Sequence, residues 1–577
     1  MSLPAFRAHG LALLTLCAAS ICTDAVSQRQ QIRDVVGSPP DLSNWPHPAA
    51  PDGNPFPRST ASAAELQLRD DMVQLGKALF WDEQVSTDNT VACGTCHMPR
   101  AGGTDDRPGA VHANGNFGTF GVVSQQLSGG QIVYGAPGGS AQPDQRAVTD
   151  VAAPSAIGAY MFDQLFWDKR AGPDFKHDNG AVITGFSKWA ALEALSVGPP
   201  TSDVEMGHHG ITWASGYLQN KIGDAHPLAL VEPGTIPQDV QWLTTMQLPY
   251  AALFDLVFQN HSNSDLDGIQ GVTRERFAAA LAHYQRTLIP DQAPIDTGNI
   301  TAQMEEGFEV LRVRGCFECH SATEPTQLVN GKLPNSFDNL FSDGTLHPIN
   351  INNAPDRKTP TLRNLGLRKK FFSTGHGGDG TPTDRPFVGS RNELLDFYVD
   401  GPGRLGFDGF LSETDRAAVE AFLFDALTDP RVANEQFPFD RPMLRSEMDP
   451  FEANEYGAGS PASDGITPEI IANYPPLIPV NGSQSNFRVG MSSGFPGAVP
   501  FLMVTPAAGT GAFGYWVSGP MVTLPGSIVD ANGMSTVHYS VPADPALKDV
   551  PSFVQWIVLE PNTISFTNAA HFTPFYF

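Results

Sequence analysis

Two pentapeptides, "CGTCH" ending at His97 and "CFECH" ending at His320, constrain this chain more than any other feature. Six cysteines occur in 577 residues, and four of them, Cys93, Cys96, Cys316 and Cys319, sit in these C-x-x-C-H repeats. The other two, Cys17 and Cys22, lie in the apolar run "GLALLTLCAASIC" near the N-terminus. With so few cysteines, even one chance C-x-x-C-H is expected on the order of once in a thousand such chains. The fold must therefore bring two thiols and an imidazole together twice.

Three chemistries use such a cluster. A structural zinc site needs four ligands, usually at short spacing, and more than 200 residues separate the two pairs. A thioredoxin-like dithiol belongs at a strand-to-helix junction, whereas helical periodicity precedes both pairs here. Leu68, Met72, Leu75 and Leu79 carry it before the first, and Met304, Phe308 and Leu311 before the second, where Gly315 is placed to end the helix. In covalent haem the two thiols add across the vinyl groups and the adjacent histidine becomes the proximal iron ligand. Zinc and dithiol chemistry stay open as alternatives, but haem alone accounts for every residue type. Cys93, Cys96 and His97 would hold one haem c, and Cys316, Cys319 and His320 the other.

A chain of this length exceeds one hydrophobic core. Its net charge of −26 argues against a nucleic-acid partner, which needs a surplus of Lys and Arg, and fits a basic protein partner. Arg7, His9 and the apolar run that follows read as a secretory signal peptide, so the chain is expected to be exported to the periplasm or cell envelope. Neither Cys17 nor Cys22 has the small preceding residue usual for lipidation. No later stretch approaches the roughly 18 apolar residues of a membrane span, so the protein is not expected to be transmembrane. Helix starts are marked by Thr273 before Phe277, Leu281, Tyr284 and Leu288, by Ser390 with Glu393, and by Ser412 with Asp415. Beyond residue 431 the texture turns to β-branched and aromatic runs such as "VPFLMVT" and "FVQWIVLE".

The stretches "LGKALFWDEQVSTDNTVACGTCHMPRAGGTD", "LFWDKRAG", "VEMG" and "YQRTLIP", then "TPTLRNLG", "LLDFYVDG" and "LSETDRAAVEAFL", occur in this order. Together they resemble the bacterial di-haem cytochrome c peroxidase and MauG family over about residues 65 to 430. The resemblance implies a peroxide-reacting N-terminal haem and a C-terminal haem that passes or stores electrons. Trp167 of "LFWDKR" matches the tryptophan between them, with core packing as the plain alternative. Glu205 of "DVEMG" matches the distal acid that shuttles peroxide protons, with a solvated surface carboxylate as the alternative. Leu195 stands where the family often has glutamine. His208 and His209 either compensate or are simply two exposed histidines. His112, the one histidine between His97 and Trp167, is a candidate labile iron ligand or a plain loop residue. Tyr398 of "LLDFYVDG" falls where the MauG branch has a tyrosine ligand; otherwise it packs on the haem, and His376 is a substitute ligand. Tyrosine ligation would lower that haem's reduction potential relative to methionine.

The implied fold class is mainly α, with two cytochrome-c-like haem domains followed by a C-terminal all-β, sandwich-like domain. The expected boundaries are a signal peptide at 1–25, a Pro-rich leader at 26–63, the peroxidatic domain at 64–295, the electron-transfer domain at 296–430, a linker at 431–465 and a β-rich appendage at 466–577. The implied cofactors are two covalent haems c and calcium, the implied partners hydrogen peroxide, a small redox protein as donor, and a second copy in a homodimer. The expected activity is peroxide reduction to water. A MauG-like oxidase of a protein or organic substrate, a relative of the rubber-cleaving di-haem oxygenases, and a non-enzymatic electron carrier are the alternatives.

Overall fold

The computed structural model describes residues 63–320, 346–347, 356–375, 394–395, 398, 411–448, 455–472, 487–541, 544–547 and 550–572, apart from 109, 129–130, 135–139, 142–145, 260–265 and 267–268. The expected signal peptide, almost all of the leader, the Ser390 and Glu393 helix start and His376 lie outside these residues.

Each C-x-x-C-H follows a helix, and each of those helices is crossed closely by a second one. Helix Ala63–Phe80 buries Met72, Leu75 and Leu79 and packs on helix Arg274–Gln285, whose N-cap is the Thr273 hydroxyl. The contact is backbone-close, since a Cβ on Gly76 would lie 1.9 Å from the Ala280 carbonyl oxygen. Helix Ala302–Val313 repeats the arrangement with helix Glu413–Glu420, where a Cβ on Gly307 would lie 2.0 Å from the Ala418 oxygen. Gly315, left-handed at φ 72°, stops that helix just before Cys316. Ser412 caps the partner helix through Asp415. Two crossings built on the same device give the two halves separate cores, one around Leu79, Phe254 and Phe277, the other around Phe308, Phe422 and Leu423.

The arginines of two quoted motifs are architectural. Arg286 of "YQRTLIP" makes two parallel bonds to Glu193, at 2.7 and 2.8 Å, and both side chains are buried. Arg363 of "TPTLRNLG" grips Asp296 in the same way, at 2.8 and 2.7 Å. Residues 431–448, expected to open a linker, pack back on the first half. Val432, Phe439 and Leu444 join its core, and Asp440 accepts from buried Lys77 at 2.7 Å.

The first half is less purely helical than expected. Strand Phe120–Val123 pairs antiparallel with Arg146–Val148, and Gln125–Ser128 with Gln131–Tyr134. The sequence signal for the second pair, Gly-Gly between the runs "QQLS" and "QIVY", is a hairpin pattern. The C-terminal region is antiparallel β. A five-stranded sheet runs in the order Val522–Pro525, Val499–Thr505, Ser552–Leu559, Ile564–Phe572, Glu455–Tyr456, beside a three-stranded one of Ser535–His538, Arg488–Ser492 and Glu469–Ala472. Val489 and Met491 of the smaller sheet share a core with Leu502, Val554 and Trp556 of the larger, and the Trp556 indole donates to the Gly490 carbonyl at 2.8 Å. Among the described residues no helix is long and apolar enough to cross a membrane.

Leaving one buried charge without its partner is expensive. Glu193→Ala or Asp296→Ala should each destabilise the protein by about 3–5 kcal/mol, read as a lowered denaturation midpoint. Asp168→Ala, at the exposed Arg170–Asp168 pair, should cost less than about 1 kcal/mol. Equal effects at the three sites would contradict the architectural role.

Candidate functional site

The first motif forms a single helical turn, Cys93–Cys96, started where the Ala92 amide donates to the Thr95 hydroxyl at 2.9 Å. Gly94 sits flat on Trp81, since a Cβ there would lie 2.1 Å from the indole. His97 Nδ1 lies 3.1 Å from the Gly103 carbonyl oxygen. A carbonyl only accepts, so Nδ1 carries the proton and Nε2 keeps the lone pair a metal needs. Burial holds this imidazole below its ordinary pKa, which favours the neutral form. In the second motif Cys316–Glu318 is a tight turn, and the His320 amide donates to the Cys316 carbonyl at 3.1 Å.

One cavity of about 610 Å³ connects the two motifs and is lined by all four cysteines, His97, His320, Trp167, Glu205 and Tyr398. None of the four thiols is in a disulfide. Burial pushes Cys93 and Cys96 up to about 12, the reverse of the low pKa an attacking dithiol needs. Among the described residues no three His, Cys, Asp or Glu side chains converge as a metal-binding group, so the zinc alternative has no ligand set there.

The charge of the lining is opposite to that of the chain. Arg170, Arg314, Arg357, Lys358, Arg368 and Lys370 face the cavity against the carboxylates Asp150 and Glu205. Arg368 donates to the Arg363 carbonyl at 3.2 Å, while its Nε, sealed from solvent, has no acceptor. Burial pulls its guanidinium down to about 10. The Lys358 ammonium lies 3.8 Å above the Phe162 ring, and burial, then the charge of Lys169, pull it down to about 7. Such buried cations call for an anion. A haem brings two carboxylates on an apolar macrocycle, so these residues, with four cysteines outside any disulfide and the Nδ1-protonated histidine, fit it.

Glu205 is positioned by backbone. The Glu205, Met206 and Gly207 amides all donate to the Ser202 carbonyl, at 3.2, 3.1 and 2.8 Å. Strand Phe120–Val123 lies against this turn, the Val122 amide donating to the Glu205 carbonyl at 3.0 Å. Only glycine fits at 121, where a Cβ would stand 2.1 Å from the Val204 oxygen. Burial raises the Glu205 carboxyl above the usual range, with the Ser202 hydroxyl and Arg170 acting the other way.

Trp167 sits on the seam between the halves. Its indole donates to the Ala152 carbonyl at 2.8 Å and its own carbonyl accepts from the Lys358 amide at 2.7 Å. Tyr398, with a helical backbone, packs with its ring centre 5.9 Å from that of Phe372. Burial, then the nearby Cys316 and Cys319 sulfurs, push its phenol upward.

His112 is not among the residues that line the cavity. It occupies a turn, where its Nδ1 accepts from the Asn114 amide at 3.2 Å. The pair read as two exposed histidines divides. His209 is exposed beside Asp203 at 2.6 Å, whereas His208 is buried against Tyr217, its ring held down to about 4 by burial and then by Arg488. Leu195 does line the cavity, and so does Gln285, an amide that sequence reasoning missed although it lies within "YQRTLIP". His347, 3.5 Å from the Cys319 sulfur, was equally unmarked, for no motif surrounds it.

Residues 70–300 match the family profile described as di-haem cytochrome c peroxidase. The chain is 23% identical to cytochrome c peroxidase Ccp of Escherichia coli over 323 residues, 52% of this chain and 50% of that protein, so it spans about half that relative's length. It is 24% identical to methylamine utilization protein MauG of Methylorubrum extorquens over 435 residues, 73% of this chain and 92% of the relative. Among solved structures, a MauG-like protein associated with microbial copper homeostasis matches 68% of this chain and 96% of its own, at 18% identity and a TM-score of 0.38. The segment 70–300, with the motifs it carries, is thus a di-haem cytochrome c peroxidase and MauG family segment.

Proposed function

We propose that the protein is an exported di-haem c-type peroxidase, reducing hydrogen peroxide to two waters with two protons and two electrons from a small redox protein. The observation that carries this reading is the single cavity in which Glu205 and Trp167 lie with both C-x-x-C-H motifs. Haems c bound at Cys93, Cys96 and His97 and at Cys316, Cys319 and His320 would supply the irons for peroxide chemistry and electron storage. Arg368 and Lys358 would hold haem carboxylates, and His97 keeps its orientation through Gly103.

Glu205 takes the proton from the near peroxide oxygen and returns it to the leaving one. Its half-buried place on the cavity wall, where desolvation raises the carboxyl, suits it to hold that proton. Trp167 serves as the relay across the seam. The chain's −26 charge favours a basic donor protein. Calcium, His112 as a labile ligand and a homodimer belong to the same family-based reading.

Tyr398 supports a second reading. A tyrosine beside the Cys316 and Cys319 attachment points suits a MauG-like oxidase of a protein or organic substrate, since phenolate ligation favours ferric iron.

Glu205→Gln should slow peroxide-dependent oxidation of a reduced cytochrome by about 10²–10⁴-fold with two haems retained. Undiminished turnover would remove Glu205 from the reaction. The base must be ionised, so the rate should fall as pH drops through a limb above the ordinary 4.5 of a glutamate, and this limb should vanish in the Gln variant. A wild-type limb at or below 4.5 would contradict that assignment. Tyr398→Phe should abolish the low-spin spectrum of the second haem; an unchanged spectrum would exclude Tyr398 as its ligand.

A further inference from the structure

The C-terminal β region reaches the loop that carries Glu205 through one side chain. Arg488 opens strand Arg488–Ser492 and is 1% exposed. Its Nη2 donates to the Thr87 carbonyl at 2.9 Å and to Gln125 Oε1 at 2.8 Å. Its guanidinium carbon lies 5.5 Å from the centre of the Tyr134 ring. Thr87 and Gln125 are both buried, and both belong to the first half of the chain.

These two acceptors are what the Glu205 loop hangs from. The Thr87 amide donates to the Met206 carbonyl at 2.8 Å, and the His209 amide to the Gln125 carbonyl at 2.8 Å. The Thr87 hydroxyl closes the ring by donating to Gln125 Oε1 at 3.1 Å. With the Val122 bond to Glu205, three points fix residues 205–209, and Arg488 holds two of the three. The guanidinium also adds to the burial that holds His208 neutral on that loop.

The rest of the contact is built around the same place. The hairpin strand Gln131–Tyr134 docks on the smaller β sheet, the Tyr134 amide donating to the Thr536 hydroxyl at 2.8 Å and His538 Nε2 donating to the Ile132 carbonyl at 3.0 Å. Val123, Tyr134, Ile471 and Met534 form a separate small core there. A guanidinium sealed in that contact has a directional role that apolar packing could not supply, because its donors fix two acceptors at once.

We infer that the C-terminal β region is a positioning element for the proton-handling carboxylate, acting through Arg488 on Thr87 and Gln125 and so on the loop that presents Glu205. Arg488 touches no reacting atom; it sets where Glu205 stands. The inference rests on the peroxidase reading of Glu205.

Arg488→Met, Trp556→Phe, Glu205→Gln and the Arg488→Met/Glu205→Gln double variant are compared as haem-loaded full-length proteins. Trp556→Phe loosens the β core through the lost bond to Gly490 but leaves the Arg488 contacts in place, so it controls for general destabilisation. Arg488→Met should lower kcat about 10–100-fold with KM little changed, the scale expected from a small misplacement of a catalytic group. It should also displace the acid limb of the pH profile. Hydrogen exchange at the Thr87, Val122 and His209 amides should speed at least about tenfold in Arg488→Met and not in Trp556→Phe. The double variant should be no slower than Glu205→Gln alone, since both changes act through one group. Effects that multiply, or an Arg488→Met protein with a lower melting temperature but wild-type kcat, pH limb and exchange, would overturn the inference. Should Arg488→Met fail to fold, Arg488→Lys, which keeps the charge without the fork, carries the same comparison and should lie between wild type and Met. A Glu205→Gln protein with full activity would sink the peroxidase reading as well, whereas impaired Glu205→Gln with independent Arg488 effects would sink only this one.

Discussion

Lys358 and Arg368 stand where water does little to solvate them, on the wall of a cavity in a chain whose net charge is −26. Holding that much positive charge inside demands a rigid surround, and the architecture supplies it from both sides. The Ala152 amide donates to the Ser373 carbonyl and the Lys358 amide to the Trp167 carbonyl, so backbone from the first half is stitched to backbone from the second across the cavity wall. Behind the stitches, the buried Arg286–Glu193 and Arg363–Asp296 pairs satisfy their charges internally. Lys358 and Arg368 therefore differ from the cations behind the wall: the latter are neutralised by buried carboxylates, whereas these two face the cavity.

The repeated helix crossing explains how one chain presents two similar attachment sites. Gly76 and Gly307 each remove the side chain that would keep two helix backbones apart, and each lies one short segment before its cysteine pair. The halves then diverge in what they add. The first adds the strands of residues 120–148 and the turn that holds Glu205; the second adds Tyr398 and His347 around its own cysteines. The strands serve the Glu205 turn on one side and the C-terminal sheets on the other, so the insertion works as an adapter between regions of very different secondary structure.

What could be read in the sequence was local. Thr273, Gly315 and Ser412 act within a few residues of themselves, and the helices they delimit are where periodicity puts them. Trp167 and Glu205 came from motif order, and both line the cavity with the cysteines. The features that escaped depend on partners far along the chain. Arg488 meets a carbonyl 401 positions away, and no pattern around "FRVGM" signals it. His208 is buried against Tyr217, so adjacency to exposed His209 misled. Gln285 lay inside a quoted motif whose arginine turned out to be architectural, and its own place in the cavity follows only from how that helix is rotated.

The packing around Cys93 and Cys96 carries a consequence for biogenesis. Trp81 covers Gly94, the cavity walls close from both halves, and the thiols are raised to about 12. A thiol so enclosed is a poor target for any maturation factor that must grasp the pentapeptide and present a macrocycle to it. On the di-haem reading, thioether formation would belong to the extended state of the chain, ahead of the docking that brings Ser373 to Ala152. The strand that brings Arg488 to Thr87 would then close a compartment already filled.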